Sequence, residues 1–200
     1  SDAIYTQMAE RKSESFIMNN RLYLKDGTNY LVYDGETVRR VLENAYIPTT
    51  YINIIPSGEN ADIGTEYEAR NILSPYFKHT FIADGTTKEF NMNEKDLDDI
   101  YEVKVYGQTV TNYTADLVAG KITFAEAPKK PEDVVQIAND DGESVKYPEF
   151  YAGIEITASK PIRRITGVTD NTGIVGSMIT KCTLAHIFDN RVLEFVESDF

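Results

Sequence analysis

The sequence predicts a mainly β protein with little helix, in which a small antiparallel β-sandwich-like module is inserted in or flanked by β-meander segments. The first observation is the alternation of apolar and polar residues in short runs such as Glu102–Tyr106 and Lys121–Phe124, as half-buried strands require. The second is the regular placement of turn residues between such runs, at Asp84-Gly85, Gly107-Gln108 and Ala119-Gly120.

The chain divides into three blocks. Residues 1–75 are predicted to form a β-meander followed by an extended arm, and residues 76–138 the small β-sandwich-like module. Residues 139–200 are predicted to form a β segment that packs with residues 1–75. The sequence stops directly after the strand-like run 191–196, so we expect a fragment of a longer polypeptide.

The first block carries the meander signal, because two Asp-Gly turns eight residues apart join strands of four or five residues. Such short meanders are also the unit of propeller blades. The predicted strands and turns are Glu14–Met18, a turn at Asn19-Asn20, Arg21–Lys25, a turn at Asp26-Gly27, Asn29–Tyr33, a turn at Asp34-Gly35, and Glu36–Arg39.

Other segments carry less regular signals. Prolines and glycines make residues 44–65 an extended arm, and Glu66–Leu73 is predicted as a short helix closed by Ser74-Pro75. Within the module, Asn93–Asp99 is predicted as a helical turn and Lys129–Asp133 as the last hairpin loop. The third block is predicted to contain a strand at Gly153–Ala158.

The charge balance restricts the partners. With 20 basic and 32 acidic residues the net charge is −12, which repels phosphate backbones and anionic lipids. The basic doublets Arg39-Arg40, Lys129-Lys130 and Arg163-Arg164 are isolated, so neither nucleic acid nor a membrane is an expected partner. No apolar run approaches the roughly 20 residues of a membrane helix. The single cysteine, Cys182, excludes an internal disulfide framework and a multi-cysteine zinc site.

Two acidic clusters resemble functional sites, but the sequence favours a plainer interpretation of both. Glu94, Asp96, Asp98 and Asp99 could supply paired carboxylates for glycoside hydrolysis, yet a solvated acidic face is favoured. The run 139–143, Asn-Asp-Asp-Gly-Glu, lacks the alternating ligand spacing of a calcium loop, and a simple turn is favoured.

Cys182 and His186 would share a face if residues 181–188 were helical, and His79 is the only other histidine. They could hold a metal or form a cysteine nucleophile with its base. The surrounding segment is mostly apolar, which favours burial of Cys182 in a core strand. The sequence contains no Gly-x-Ser-x-Gly, His-Glu-x-x-His or phosphate-loop motif. We therefore assign no catalytic, cofactor-binding or metal-binding residue and expect a protein that is not an enzyme.

Thirteen tyrosines and nine phenylalanines accompany no tryptophan. Tyrosine-rich surfaces bind proteins or glycans, because the ring stacks while the hydroxyl forms hydrogen bonds. Many of these tyrosines lie in strand runs, where β propensity explains them. The examples are Tyr23, Tyr30, Tyr33, Tyr101 and Tyr106.

Turn-and-strand patterns that cover most of the chain are shared with a known family. The segments that carry them are Phe81–Phe90, Val103–Gly107, Tyr113–Leu117, Gly120–Phe124, Ala127-Pro128, Ser15–Gly35, Ala45–Thr50, Glu68–Pro75, Ile179–Leu184 and Asp189–Val192. With these segments, the module and its flanks resemble structural proteins of tailed bacteriophages and of prophages of Gram-positive bacteria.

The resemblance implies a non-enzymatic virion protein of the tail or baseplate, assembled in the bacterial cytoplasm. Its expected partners are other virion proteins and further copies of itself, contacted through hairpin edges and tyrosines. Two alternatives stay open at this point. One is a host-surface glycan-binding module of the same particle, and the other is a cell-wall glycosidase that uses two acidic residues.

Overall fold

The computed structural model describes residues 5–10, 12–59, 67–71, 74–136, 144–160, 184–188 and 191–195. The chain forms two compact units, the first from Ser1–Tyr46, Ile72–Pro75 and Pro161–Phe200, the second from Ile47–Asn71 and Tyr76–Lys160. Both are built from strands, so the prediction of a mainly β protein with little helix is confirmed. The strands of the described ranges are β1 (Glu14–Met18), β2 (Arg21–Lys25), β3 (Tyr30–Tyr33), β4 (Val38–Arg40), β5 (Thr49–Ile54), β6 (Tyr76–Phe81), β7 (Glu89–Asn91), β8 (Asp99–Val105), β9 (Gln108–Thr109), β10 (Tyr113–Asp116), β11 (Lys121–Phe124), β12 (Val135–Gln136), β13 (Val145–Lys146), β14 (Ile154–Ser159), β15 (Leu184–Phe188) and β16 (Arg191–Phe195).

The first unit contains the predicted meander. Strands β1 to β4 pair antiparallel in chain order, and a one-turn helix, α1 (Val41–Asn44), follows β4. The turn between β1 and β2 is Asn19-Asn20, with φ of 52° and 58°. Two successive positive φ angles match the right-handed twist of the flanking strands, and asparagine tolerates them. Strands β15 and β16 form a separate antiparallel hairpin in this unit.

The turn between β2 and β3 is stabilised by hydrogen bonds to the side chain of Asp26. Its Oδ1 accepts hydrogen bonds from the amides of Thr28 (2.9 Å) and Asn29 (2.6 Å), and its Oδ2 accepts one from the amide of Ala9 (2.7 Å). Burial of Asp26 favours the neutral acid, but these bonds and one from the Asn29 side chain outweigh it and lower the pKa to about 2. The carboxylate therefore ties the turn to the preceding segment.

Replacing Asp26 by Ala is expected to lower the free energy of unfolding of the meander by about 1–3 kcal/mol, because three amides lose an acceptor that lies in a buried position. Asp34→Ala is the matched control. Asp34 accepts from the amides of Glu36 and Thr37 in the same way but is exposed to water, so its loss costs less. Urea unfolding followed by tyrosine fluorescence compares the two; equal losses would contradict this account of Asp26.

The second unit is a two-layer β structure around one apolar core, as the sandwich-like prediction requires. A five-stranded sheet has the order β5-β6-β14-β8-β9, and a three-stranded sheet has the order β10-β11-β7. Phe81 from the first sheet meets Phe90 from the second edge to face, with ring centroids 5.7 Å apart. Phe90 meets Phe124 in the same geometry at 5.3 Å. Such perpendicular contacts suit the ring quadrupole.

The predicted extended arm at residues 44–65 is corrected by the structure, since it contains β5. Pro48 and Pro56 flank this strand rather than interrupt it, so its amides remain able to pair. β5 runs parallel to β6, with Tyr51 opposite His79 and a φ of 55° at Asn53 where the register shifts. The sandwich is therefore not purely antiparallel, and a parallel pair needs a long crossover that local patterns do not reveal.

The helix predicted at Glu66–Leu73 is not formed over residues 67–71. The amides of Tyr67 and Glu68 donate instead to the carbonyls of Thr50 and Thr49, at 2.9 and 3.1 Å. The Glu68 carboxylate also accepts from the Thr49 amide at 2.6 Å. Pairing with β5 thus overrides the weak local preference of a short helix.

The helical turn predicted at Asn93–Asp99 is likewise absent. The amides of Asp96 and Leu97 donate to the carbonyls of Val118 and Leu117, and Asp96 has a φ of 54°. Long-range pairing with the β10–β11 loop replaces helical hydrogen bonds. The segment is a bent connection that leads into β8.

The module extends beyond the predicted residues 76–138, since the second unit comprises Ile47–Asn71 and Tyr76–Lys160. β14, predicted in a block that packs with residues 1–75, lies between β6 and β8 and pairs antiparallel with both. The predicted hairpin loop Lys129–Asp133 contains the 3₁₀ turn Pro131–Asp133, and β12 beyond it pairs with β13 rather than with β11. Apolar residues at alternating positions of β14 complete the core. A propeller-like arrangement stays a prediction.

Candidate functional site

The tip of the β8–β9 hairpin has an unusual backbone. Val105 pairs with Gln108, so Tyr106 and Gly107 form a two-residue turn, with φ of 48° and 79°. This turn type needs positive φ at both central positions. Glycine adopts that conformation freely, whereas a bulky aromatic residue there is strained. The strain at Tyr106 must be offset by contacts elsewhere.

Several contacts hold Tyr106 in place. Its amide donates to the Gly153 carbonyl at 2.6 Å, and its hydroxyl donates to the Lys129 carbonyl at 2.7 Å. The ring lies against Gly153, where a Cβ atom would overlap the ring carbons Cε1, Cζ and Cδ1. Gly153 is therefore required by the close approach of the Tyr106 ring.

Tyr106, Tyr147 and Tyr151 form a contiguous group, here called the tyrosine cluster. Ring centroids are 5.0 Å apart for Tyr106 and Tyr147, 4.3 Å for Tyr147 and Tyr151, and 6.3 Å for Tyr106 and Tyr151. Burial is the largest cause that raises the pKa of Tyr106 to about 12, and it also raises the pKa of Tyr151. The second cause in both cases is electrostatic repulsion from the neighbouring Tyr147. The Tyr106 and Tyr151 hydroxyls thus stay neutral and able to donate at ordinary pH.

An open cleft of about 740 Å³ adjoins the tyrosine cluster. Two segments contribute to both the cleft and the cluster. Lys130, which follows the Lys129 carbonyl bonded to Tyr106, lines the cleft, and so does Glu149, which lies between Tyr147 and Tyr151 in the chain. Its apolar lining is Ile55, Pro56, Ile82, Ala83, Pro131 and Phe150. Its charged lining is Asp84, Glu89, Lys130, Glu132 and Glu149. We call this the acidic cleft, since four carboxylates face one ammonium group.

Phe150 contributes an exposed aromatic ring to the acidic cleft, and Asp84 contributes a charged carboxylate. Phe150 is 62% exposed, which is high for a phenylalanine beside an apolar wall. Burial of the Asp84 carboxyl favours its neutral form, but hydrogen bonds from the side chains and amides of Thr87 and Thr86 lower its pKa to about 2. An apolar ring and a carboxylate that stays charged at neutral pH therefore line the same cleft.

The structure separates the acidic residues that the sequence grouped. Glu94 is half-buried and forms ion pairs with Arg70 (3.2 Å) and Lys160 (3.1 Å). Asp96, Asp98 and Asp99 are exposed to solvent. The three aspartates match the expected solvated acidic face, whereas Glu94 does not, and none of the four residues lines the acidic cleft.

His79 lies in the core of the second unit rather than in a site. It is fully buried, its ring centroid lies 4.9 Å from that of Tyr51 and 5.1 Å from that of Phe77, and neither ring nitrogen has a hydrogen-bond partner within the described ranges. Burial and then the positive charge of Arg70 lower its pKa from 6.5 to about 3. His79 is therefore a neutral core residue at pH 7.

Other candidates fall partly or wholly outside the described ranges. Cys182 and the run 139–143 lie outside them. The backbone of His186 belongs to strand β15, which agrees with the expected strand and not with a helix. Over the part of the chain that the structure describes, no group of three or more His, Cys, Asp or Glu side chains could hold a metal ion.

The sequence did not single out Tyr147, Phe150 and Tyr151. Their signal is local: the run 147–151, Tyr-Pro-Glu-Phe-Tyr, holds three aromatic residues in a segment that shows no strand alternation. Aromatic density outside a strand cannot be explained by β propensity, so it points to a surface role.

Comparisons with known proteins give no relative: no family model, no curated protein and no solved structure matches this chain. In the described residues, no helix has the length and apolar character needed to cross a membrane.

Because folded His79 resists protonation while unfolded histidine titrates near pH 6.5, the unfolding free energy of the second unit is expected to fall as the pH drops below 6.5. The slope approaches about 1.4 kcal/mol per pH unit, and the effect continues to about pH 3. His79→Leu removes the titrating group, so its unfolding free energy should change little between pH 7 and 5. This pH range lies above the one in which carboxylates titrate. Urea unfolding at three pH values checks this, and parallel curves for both proteins would refute it.

Gly153→Ala is expected to displace the Tyr106 ring and to destabilise the second unit by about 1–3 kcal/mol, because the added methyl group overlaps the ring. Nuclear Overhauser contacts between the rings of Tyr106 and Tyr147 should disappear. Tyr106→Phe is the control: it loses only the hydrogen bond to Lys129 and should keep the ring contacts. Unchanged contacts in Gly153→Ala would show that the cluster does not depend on Gly153.

Proposed function

We propose that this chain is a non-enzymatic structural protein of a phage or prophage tail or baseplate, and that it acts through protein–protein contacts. The observation that carries the proposal is the tyrosine cluster at the β8–β9 hairpin tip, with the exposed Phe150 beside it. This surface is built in advance and presents aromatic rings to solvent.

Pre-organised aromatic surfaces suit protein recognition. Tyrosine is enriched at protein interfaces because it supplies a large contact area and a hydrogen bond at low cost in conformational entropy. Tyr106 is already fixed by Gly153 and Lys129, so a partner would not have to order it. The strained φ of Tyr106 fits a position kept for function rather than stability.

The resemblance of the turn-and-strand segments to tailed-phage proteins supplies the biological setting. It supports a location in the virion after assembly in the bacterial cytoplasm, with other virion proteins and copies of this chain as partners. The net charge of −12 argues against nucleic acid as a partner.

A second candidate is a host-surface glycan-binding module. The observation that favours it is the position of the tyrosine cluster beside a cleft that holds carboxylates and the Asn91 amide. Sugar rings stack on aromatic faces, and their hydroxyls donate to carboxylates and amides. Saturable binding on a glycan array that is lost in Tyr151→Ala would favour this candidate over a purely structural role.

The proposal predicts that the chain is a component of intact particles. Particles purified from an induced culture of the encoding strain should contain its peptides in mass spectra, and gold-labelled antibody should mark the tail or baseplate. Tyr151→Ala should reduce incorporation, because Tyr151 is 40% exposed in the cluster.

Tyr101→Ala is the matched control for this experiment, since Tyr101 is 61% exposed on β8 and outside the cluster. Its incorporation should match that of the unmodified chain. Absence of the chain from intact particles would contradict the proposal, and so would peptidoglycan hydrolysis abolished by a single carboxylate substitution.

A further inference from the structure

We infer that the acidic cleft receives a basic side chain, lysine or arginine, from an extended segment of a partner protein. This inference rests on the proposed function, because it names the chemistry of the partner. It concerns a surface that is distinct from the tyrosine cluster but adjoins it.

The first step is the charge of the cleft. Glu89 pairs with Lys121 at 2.8 Å, and Glu132 lies 3.8 Å from Lys130. Across the described parts of the chain, no ion pair joins Asp84 or Glu149 to a basic side chain. These two carboxylates line the same cleft, so a cation placed there meets negative charge that no basic side chain of the described ranges pairs with.

The second step is the apolar surface beside that charge. Phe150 is exposed on one side of the cleft, and Pro131 and Ile55 contribute further apolar lining. Lysine and arginine combine an apolar stem with a cationic end, and the cation is attracted to an aromatic face. A cleft lined by both carboxylates and an exposed phenyl ring therefore matches both parts of a basic side chain.

The third step identifies the occupant. A cleft of about 740 Å³ lies in the range of sites that hold drug-sized ligands and exceeds what one side chain fills. A short extended segment fits such an open shape. As the occupant of this cleft, a second copy of this chain is disfavoured by its net charge of −12, whereas a basic segment is attracted by the same charge.

The test uses the purified chain and a fluorescein-labelled, acetylated peptide, Gly-Lys-Arg-Lys-Arg-Gly, with Gly-Glu-Asp-Glu-Asp-Gly as the anionic probe. Fluorescence anisotropy should show saturable binding of the basic peptide and no binding of the anionic peptide. Glu149→Gln and Phe150→Ala should each weaken it about threefold to tenfold.

The matched control is Asp98→Asn, which removes one negative charge from an exposed position outside the cleft. Its affinity should equal that of the unmodified chain. Equal weakening in Asp98→Asn and Glu149→Gln would overturn the inference, because binding would then follow net charge alone. Cleft-dependent self-association in sedimentation velocity would also overturn it by assigning the cleft to a second copy, as would cleft-dependent binding of an amino-sugar glycan without peptide binding.

The peptide experiment tests the inference about the cleft, and the particle experiment tests the proposed function, so either can fail without the other. Cleft-dependent peptide binding by a chain that is absent from particles would refute the phage assignment and leave the cleft intact. A chain that is present in particles but shows no cleft-dependent peptide binding would refute only the inference about the cleft.

Discussion

The pairing of β14 with both β6 and β8 is the constraint on which the second unit depends. β14 lies late in the chain yet occupies the middle of the five-stranded sheet, where Ile154 is opposite both Phe81 and Val105. This register sets Gly153 directly beside the hairpin tip and so allows Tyr106 to pack against it. The tyrosine cluster and one side of the acidic cleft therefore follow from a long-range strand pairing.

The aspartate-glycine turns share one local mechanism in different surroundings. At Asp26, Asp34 and Asp84 the carboxylate Oδ1 accepts hydrogen bonds from the amides two and three residues ahead, and the following glycine has positive φ. The first two turns join neighbouring strands of the meander. The third connects β6 in one sheet to β7 in the other, which carries a charged carboxylate to the acidic cleft. The same turn chemistry thus serves the meander and the candidate site.

Local signals explain which elements could be predicted from the sequence. The short strand run Glu14–Met18 and the turn pair Asn19-Asn20 specify a hairpin within a dozen residues, and the meander has that form. The parallel pairing of β5 with β6 and the position of β14 depend on partners more than 20 residues away, and no local pattern encodes them. The helix expected at Glu66–Leu73 was wrong over residues 67–71 because strand pairing supplied better hydrogen bonds than a short helix could.

The candidate site was less predictable than the fold. Tyr106 was identified as a strand tyrosine, but its positive φ comes from its place in the β8–β9 turn, and its contacts with Tyr147 and Tyr151 join segments about 40 residues apart. The acidic cleft likewise gathers residues from four separate segments. Sequence position alone gives no reason to group them.

Hydrogen–deuterium exchange, compared between the free chain and the chain within intact particles, tests most directly whether the tyrosine cluster is an assembly surface. Docking of a partner on the cluster predicts slower exchange for peptides that cover residues 104–109 and 145–153, with the β10–β11 loop unchanged. Equal exchange of both cluster segments in the free and assembled states would contradict the account.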